Sequence, residues 1–345
     1  MKKKSLLIGI FVVVTFSILT FPLTSAESAS LPRVFIMTTH ALGTKYYALA
    51  SGLGKVLSSH LPSEIKVMPT TGPVEWMPMI REGEVDMGVA NNWDCQYGFL
   101  AKGPFEKPMK GKGSRIRLLT SGSPNIMAVV VSETSGIKTF NDLRGKRYVG
   151  IFAGSAGQTA QAQAALANFR LTKDDLKVMS MPGVGPSLRA IIEGRADASG
   201  TAVLGMGLVA ELDAGKGARF ISYDPSPEAV KRFNEVFPAE PVKVEPGPGK
   251  IGVKEPITMM KYDTYLVARE SLSEDAAYEL VKVLWEYNSE LWPIHVGLKT
   301  WTTDQFVTKH ATVPYHPGAI KLFKEKGVWN SEMDKVQQKL LSMEK

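Results

Sequence analysis

The sequence has a single cysteine, Cys95, so it forms no disulfide within one chain. Its stability must come from a hydrophobic core, and 345 residues suffice for one large domain or two lobes. A lone thiol in an oxidising compartment is more often buried than reactive, so we expect Cys95 to lie in the core. The five histidines fall in no recognisable metal-binding or catalytic arrangement.

Long apolar runs are lacking everywhere except near the N-terminus. The basic residues Lys2–Lys4 precede an almost unbroken apolar run, Leu6–Leu23, which ends in the small residues Thr24-Ser25-Ala26. This order is typical of a secretory signal peptide, and we predict cleavage near Ala26, with an uncleaved anchor as the weaker alternative. No other segment approaches the roughly 20 apolar residues of a spanning helix. We therefore expect a soluble, exported mature chain.

The sequence also has little excess charge. Removal of residues 1–26 takes three of the 41 basic residues and none of the 34 acidic ones, so the net charge falls from +7 to +4. Because this charge is mild and spread along the chain, it is a weak argument for a polyanionic partner. We expect no nucleic-acid partner.

The chain does contain a repeated order of strand, turn and helix. The apolar run Val34–Met37 predicts a buried strand, and helical spacing of apolar residues begins at Lys45. Further strands are predicted at 65–68, 87–90, 116–119 and 126–131, and a helix at 73–81. The order recurs with strands at 148–151, 178–180, 196–201 and 220–222 and helices at 158–169, 186–193 and 205–214. A loop is predicted at 240–256, a strand at 258–267 and an amphipathic helix at 277–291.

The turns that follow these strands are the candidate ligand sites. In an open α/β sheet, the carboxyl ends of the strands line the ligand crevice. The turns at Gly43 and Gly154 lead into helix N-termini, whose unpaired N–H groups and dipole favour anions. Lys45 stands where the dipole disfavours a cation, so it is a candidate ligand contact, with a solvated lysine as an equal alternative. Of the nearby aromatic residues, we favour the pocket for Tyr46 and Trp93 and the core for Tyr47 and Trp76.

Catalytic motifs are incomplete in this sequence. Residues 153–157 (AGSAG) resemble a nucleophile elbow but lack its first glycine, and no histidine is suitably arranged. Residues 247–252 (GPGKIG) match a dinucleotide-binding motif by count, but they lie in a proline-rich loop with no helix after it. We predict that the protein is not an enzyme, needs no cofactor and has no metal site.

Short segments along the whole mature chain carry a resemblance to a known family. Residues 43–49 (GTKYYAL) are similar to its G-G-T-Y-Y-P-L segment, 70–75 (TTGPVE) to T-x-G-S-V-E, and 83–91 (GEVDMGVAN) to G-E-A-D-L-G-I-V-Q. Residues 136–147 (GIKTFNDLRGKR) are similar to G-I-K-S-L-x-D-L-K-G-K-R, Gly154-Ser155 stand at its G-S-G-T turn, and His316–Ala319 match its closing H-P-G-A. In order and spacing, the chain resembles the TAXI family, the solute receptors of tripartite ATP-independent periplasmic (TRAP) transporters.

The resemblance implies an α/β, two-lobed periplasmic-binding-protein fold of type II-like topology, with a ligand cleft between lobes joined by hinge strands. Lobe 1 would comprise residues 27–124 and 265–345, and lobe 2 residues 125–264. The expected function is capture of a small carboxylate (a dicarboxylate, oxo-acid or acidic amino acid) by a periplasmic monomer that delivers it to TRAP-type permease subunits. The receptor of an ATP-driven importer and an exported enzyme on the same fold are the alternatives.

The resemblance also indicates a set of ligand-binding residues. Lys45 replaces a threonine of the family pattern, Trp76 an asparagine and Asn91 a glutamine, while Ala156-Gly157 replace Gly-Thr; these departures fit a more anionic or differently shaped solute. Together with the turns identified above, the resemblance predicts contacts from Thr39, Gly43, Thr44, Lys45, Tyr46, Thr71, Gly72, Asn91, Asn92, Trp93, Gly154, Ser155, Ala156, Gly157 and Gln158.

Overall fold

The computed structural model describes residues 31–344, so the predicted signal peptide and its cleavage site lie outside the described residues. The strands are β1 Val34–Thr39, β2 Glu64–Pro69, β3 Met87–Asn91, β4 Ile116–Ser132, β5 Arg147–Phe152, β6 Lys177–Met181, β7 Ala198–Val203, β8 Ala218–Phe220, β9 Glu240–Val244 and β10 Ile257–Arg269. The helices are α1 Lys45–His60, α2 Pro73–Glu82, α3 Asn92–Phe99, α4 Ala156–Asn168, α5 Val184–Ile192, α6 Gly207–Lys216, α7 Pro227–Asn234, α8 Glu274–Glu286, α9 Pro317–Glu325 and α10 Ser331–Leu341.

All ten strands belong to one mixed sheet, whose main order is β2-β1-β3-β10-β4-β7-β5-β6. Strand β1 pairs in parallel with β2 and β3, and β5 pairs in parallel with β6 and β7. The long strands β4 and β10 run antiparallel between these two groups, and β8 and β9 pair with them. The predicted α/β class is therefore correct, with two parallel groups joined by two long strands. The lobe boundaries at 124/125 and 264/265 stay predictions.

One correction concerns the stretch that joins the two groups. The sequence suggested separate strands at 116–119 and 126–131, but both belong to the 17-residue strand β4. Pairing with β10 carries the strand through Gly122, which lies opposite Thr264, and on to Asn125, which lies opposite Tyr262. The register shifts between these pairs, and Ser123 has a φ of 43°. The turn-forming residues thus produce an irregularity within a strand and do not end it.

Three further elements were missed, among them helix α3, which directly follows β3 and has Asn91 as its cap. Strand β9 lies in the segment 240–256 predicted as a loop, and it is formed by pairing with β10, a contact distant in sequence. Helix α7 was not predicted, although its signals are local. Pro227 is its first residue, and the Ser226 hydroxyl accepts a hydrogen bond from the Ala229 N–H at 3.4 Å.

The hydrophobic core includes two residues singled out above. Cys95 is fully buried and unpaired, and Trp76 is fully buried, both as predicted. Tyr47 is only half-buried, so its assignment to the core was wrong. Among residues 31–344, no helix is long and apolar enough to cross a membrane.

Candidate functional site

A cleft of about 950 Å³ lies where the two long strands cross between the parallel groups. The N-terminal turns of α1, α2 and α4 face it, together with the crossing residues Ser123–Ile126 of β4 and Tyr262 of β10. The segments 203–206 and 295–297 complete its walls. This volume is at the upper end of the range typical of small-molecule sites.

Ten of the predicted contact residues line this cleft, although they come from four separate turns of the chain. Whether they contact a ligand stays a prediction. They are Thr44, Lys45, Tyr46, Thr71, Gly72, Asn91, Gly154, Ser155, Ala156 and Gln158.

Five predicted contacts do not line the cleft. Thr39 is buried, its hydroxyl donates to the Val89 carbonyl at 3.3 Å, and its own carbonyl accepts a hydrogen bond from Thr70. Gly43 is exposed and supplies the left-handed backbone of the turn before α1, with a φ of 80°. Gly157 has no side chain to line the cleft; a Cβ atom there would lie 3.6 Å from Asn91 Nδ2 and 3.8 Å from Asp94 Oδ1.

Asn92 and Trp93 point away from the cleft because each has a partner in the segment after α7. Asn92 Nδ2 donates to the Pro238 carbonyl at 2.9 Å. The Trp93 indole N–H donates to the Val236 carbonyl at 2.9 Å, and its ring is stacked with Phe237 at 6.3 Å. Of the two aromatic residues predicted for the pocket, Tyr46 lines the cleft, while Trp93 belongs to the core.

Both helix N-termini are capped, yet each keeps N–H groups available. The Thr44 hydroxyl accepts from the Tyr47 N–H at 3.2 Å, and the Ser155 hydroxyl accepts from the Gln158 N–H at 3.2 Å. Within residues 31–344, no acceptor pairs with the N–H groups of the first two residues of α1 or of α4. These are the groups that a bound anion would contact.

Lys45 extends into the cleft and is not the solvated side chain of the alternative interpretation. Its Nζ donates to Asn125 Oδ1 at 2.6 Å and lies 3.5 Å from the Ser123 carbonyl. Burial lowers the pKa of Lys45 from 10.5 to about 8, and no carboxylate of the described residues pairs with it. A cation so placed lacks a counter-charge within the protein.

Asp94 is an acidic side chain in the same cleft, and the sequence analysis did not predict it as a contact residue. The side chain is buried, and burial raises its pKa from 3.8 to about 7, although a hydrogen bond from Asn91 Nδ2 at 2.6 Å opposes that rise. Tyr46 and Tyr262 line the same cleft, and burial, reinforced by the Asp94 charge, raises the pKa of Tyr262 to about 12.

The sequence analysis also missed other residues that line the cleft. His40 lines the cleft, is stacked on Tyr46 with ring centroids 4.3 Å apart, and has a pKa lowered to about 4 by burial. Gln161 accepts a hydrogen bond from the Thr201 hydroxyl at 2.9 Å. The sequence did point to Asn125, since this residue lies at the predicted boundary between the lobes.

Among residues 31–344, the side chains at the cleft form no recognisable catalytic arrangement. The Ser155 hydroxyl is used as the cap of α4, and none of its hydrogen bonds involves a histidine. No group of three or more His, Cys, Asp and Glu side chains in residues 31–344 is arranged to hold a metal ion.

The fold with its central cleft is that of two-lobed periplasmic solute-binding proteins, as predicted. One similar solved structure is a TctC solute-binding protein from Polaromonas, with 13% identity, a TM-score of 0.51, and coverage of 78% of this chain and 89% of that chain. Another is PhnD1 from Prochlorococcus marinus, solved with methylphosphonate, with 11% identity, a TM-score of 0.50, and coverage of 87% and 100%. At these identities the likeness concerns the fold.

Family membership follows from the sequence itself. Residues 37–327 match the NMT1-like family, so the chain belongs to that family. The finer resemblance to the TAXI receptors stays a prediction.

Proposed function

We propose that the protein is an exported periplasmic receptor that captures a small organic anion bearing a carboxylate and delivers it to a TRAP-type permease. The main observation that supports this proposal is the ammonium group of Lys45, which is buried in the cleft and has no carboxylate partner among residues 31–344. A buried unpaired charge is costly, so such a group is retained where a ligand of opposite charge binds.

The helix N-termini support the same ligand class. The free N–H groups at the starts of α1 and α4 reach the cleft from the two parallel strand groups, so an anion between them would contact both. Hydrogen bonds to a charged acceptor contribute roughly 1.5–3 kcal/mol each, which offsets the loss of hydration of the carboxylate. Backbone donors and one ammonium bind an anion without any chemical change to it.

Binding without turnover is the expected result with purified mature protein. Titration calorimetry with dicarboxylates, oxo-acids and acidic amino acids should reveal a stoichiometric complex, and mass spectrometry of metabolites retained by the protein should identify the natural ligand. Methylphosphonate, the ligand of the structurally similar PhnD1, is the comparison anion. Conversion of the bound compound at a useful rate would contradict a receptor role, and would support an exported enzyme.

The crossing strands are the proposed hinge, at Gly122–Ile126 and Met260–Leu266. Their pairing shifts in register at this point, and Ser123 adopts a φ of 43°, a sparsely populated conformation for a residue other than glycine. Two-lobed receptors close about such strand crossings when a ligand binds. A cleft of about 950 Å³ exceeds what a small carboxylate fills, so closure would bring both helix N-termini onto it.

Closure predicts a smaller radius of gyration at ligand saturation. Small-angle X-ray scattering with and without the identified ligand measures this change, and sodium chloride at equal ionic strength is the control. An unchanged radius of gyration at saturation would argue against a hinge at this crossing.

A further inference from the structure

The cleft wall contains a buried carboxylate, Asp94, that pairs with no cationic side chain of residues 31–344. Asp94 is 7% exposed, and its Oδ2 accepts the Asn91 hydrogen bond at 2.6 Å. Within residues 31–344, no donor is bonded to Oδ1 and no cationic side chain pairs with Asp94. A carboxylate with two oxygens accommodates about four hydrogen bonds, so this residue of the cleft wall has unused hydrogen-bonding capacity.

Two consecutive residues of α4, Gly157 and Gln158, also indicate that a ligand supplies a hydrogen-bond donor here. Gly157 lies on the facing helix, where a Cβ atom would stand 3.8 Å from Oδ1, so the absence of a side chain leaves this oxygen uncovered. The side-chain oxygen of Gln158, the next residue, lines the cleft, is buried, and has no hydrogen-bond partner in the described chain. Buried acceptors without donors are rare in native proteins, and Gln158 Oε1 is one of them, beside a carboxylate oxygen of Asp94 that also has no donor among residues 31–344. Together they indicate that the ligand supplies the donors.

We propose that Asp94 is a specificity-determining residue, which selects anions that also carry an O–H or N–H donor over plain carboxylates. In this arrangement the carboxylate of the ligand contacts Lys45 and the helix N-termini, while its hydroxyl or ammonium group donates to Asp94 Oδ1. A ligand without a donor leaves the buried carboxylate unsatisfied, and such an unpaired polar group costs more than a missing contact. The inference rests on the proposed receptor function and narrows its ligand class.

Matched compounds separate the contribution of the donor from that of the charge. Succinate, malate and aspartate share two carboxylates and a four-carbon chain, and differ in bearing no donor, a hydroxyl or an ammonium; glutarate, 2-hydroxyglutarate and glutamate repeat the series one carbon longer. The titrations are done at pH 7.5. This pH lies between the pKa of Asp94, about 7, and that of Lys45, about 8, so both groups are mostly charged.

Wild-type protein should bind the donor-bearing members at least about ten-fold more tightly than the plain diacid of the same length. Asp94→Asn should reduce that ratio to about three-fold or less. The control is Cys95→Ala, which changes a fully buried neighbour on the same helix that does not line the cleft, and it should keep the ratio. A larger loss for the ammonium compound than for the hydroxyl compound would identify the donor as charged, and the reverse would identify it as a hydroxyl.

Gly157→Ala provides a second test that does not depend on the folding of Asp94→Asn. Alanine is favoured over glycine in a helix, and its methyl group would cover Oδ1, so the preference for donor-bearing compounds should fall. Equal binding of plain and donor-bearing diacids by wild type, or an unchanged preference in both variants, overturns the inference while leaving the receptor function intact. Binding of none of the six compounds overturns the proposed ligand class itself.

Discussion

Replacing Lys45 with methionine should weaken ligand binding by about 2 kcal/mol, roughly thirty-fold, and should also stabilise the ligand-free protein at pH 7. Both effects have one cause, the ammonium group held in the cleft against Asn125 with no carboxylate beside it. With an anion bound, the charge is neutralised; without one, its burial is a cost that methionine does not have. A gain in stability with a loss of binding is the pattern expected of a functional group.

The stability effect has a defined pH dependence. The pKa of Lys45 is lowered to about 8 in the folded protein from 10.5, so between these values the unfolded chain binds more protons than the folded one. Stability therefore rises with pH through this window, and below pH 8 the full cost of the buried ammonium is present. After discounting for partial exposure, we expect Lys45→Met to be more stable by on the order of 2 kcal/mol at pH 7, and this advantage should disappear as the pH approaches 10.5.

Urea unfolding at pH 7 and pH 10, and calorimetry at low and moderate salt, measure the two effects. Lys55→Met is the matched control, because it removes the same charge from an exposed position of the same helix; it should change neither quantity much. Lys45→Arg should restore binding only in part, since a planar guanidinium does not replace a compact ammonium. An affinity of Lys45→Met within two-fold of wild type at both salts, about 0.4 kcal/mol, would remove Lys45 from the site.

What the sequence predicted well is local. Strand β1, the turn at Gly43 and helix α1 were predicted because an apolar run, a glycine- and threonine-rich turn and helical spacing of apolar residues follow one another directly. The recurrence of this order at Gly154 correctly predicted a second helix N-terminus at the cleft. Ten of fifteen predicted contacts line it because turns after parallel strands converge at one edge of a sheet.

What the sequence could not predict depends on distant partners. Trp93 is in the core because the Val236 carbonyl, 143 residues away, accepts its indole N–H. Lys45 is held in the cleft by Asn125, which is 80 residues away. Asp94 lies in the first turn of α3, just after the predicted strand 87–90, but its burial depends on packing against residues distant in sequence, such as Tyr262. Burial of charge is a tertiary property, so residue spacing alone does not reveal it.

The closing H-P-G-A segment is a local motif, but the role of its glycine depends on a tertiary contact. The His316 ring caps α9, accepting from the Gly318 N–H at 3.2 Å through Nδ1 and facing the Leu272 carbonyl at 3.1 Å through Nε2. Pro317 is the first helical residue, a position that needs no N–H donor. Gly318 then meets the start of α8, where a Cβ atom would lie 2.1 Å from the Glu274 carbonyl oxygen and 2.7 Å from the Tyr278 nitrogen.

Gly318→Ala should therefore destabilise the protein by about 3 kcal/mol, although alanine is intrinsically the better helix former. Both clashing atoms belong to the backbone of α8, so no side chain can rotate to make room, and α9 must shift away from its buried packing. Urea unfolding measures the loss. Gly215→Ala in α6 is the control, because nothing lies within 4 Å of the added methyl, and it should stabilise by about 0.5–1 kcal/mol. If both substitutions stabilise the protein equally, the close approach of α9 to α8 does not explain the glycine.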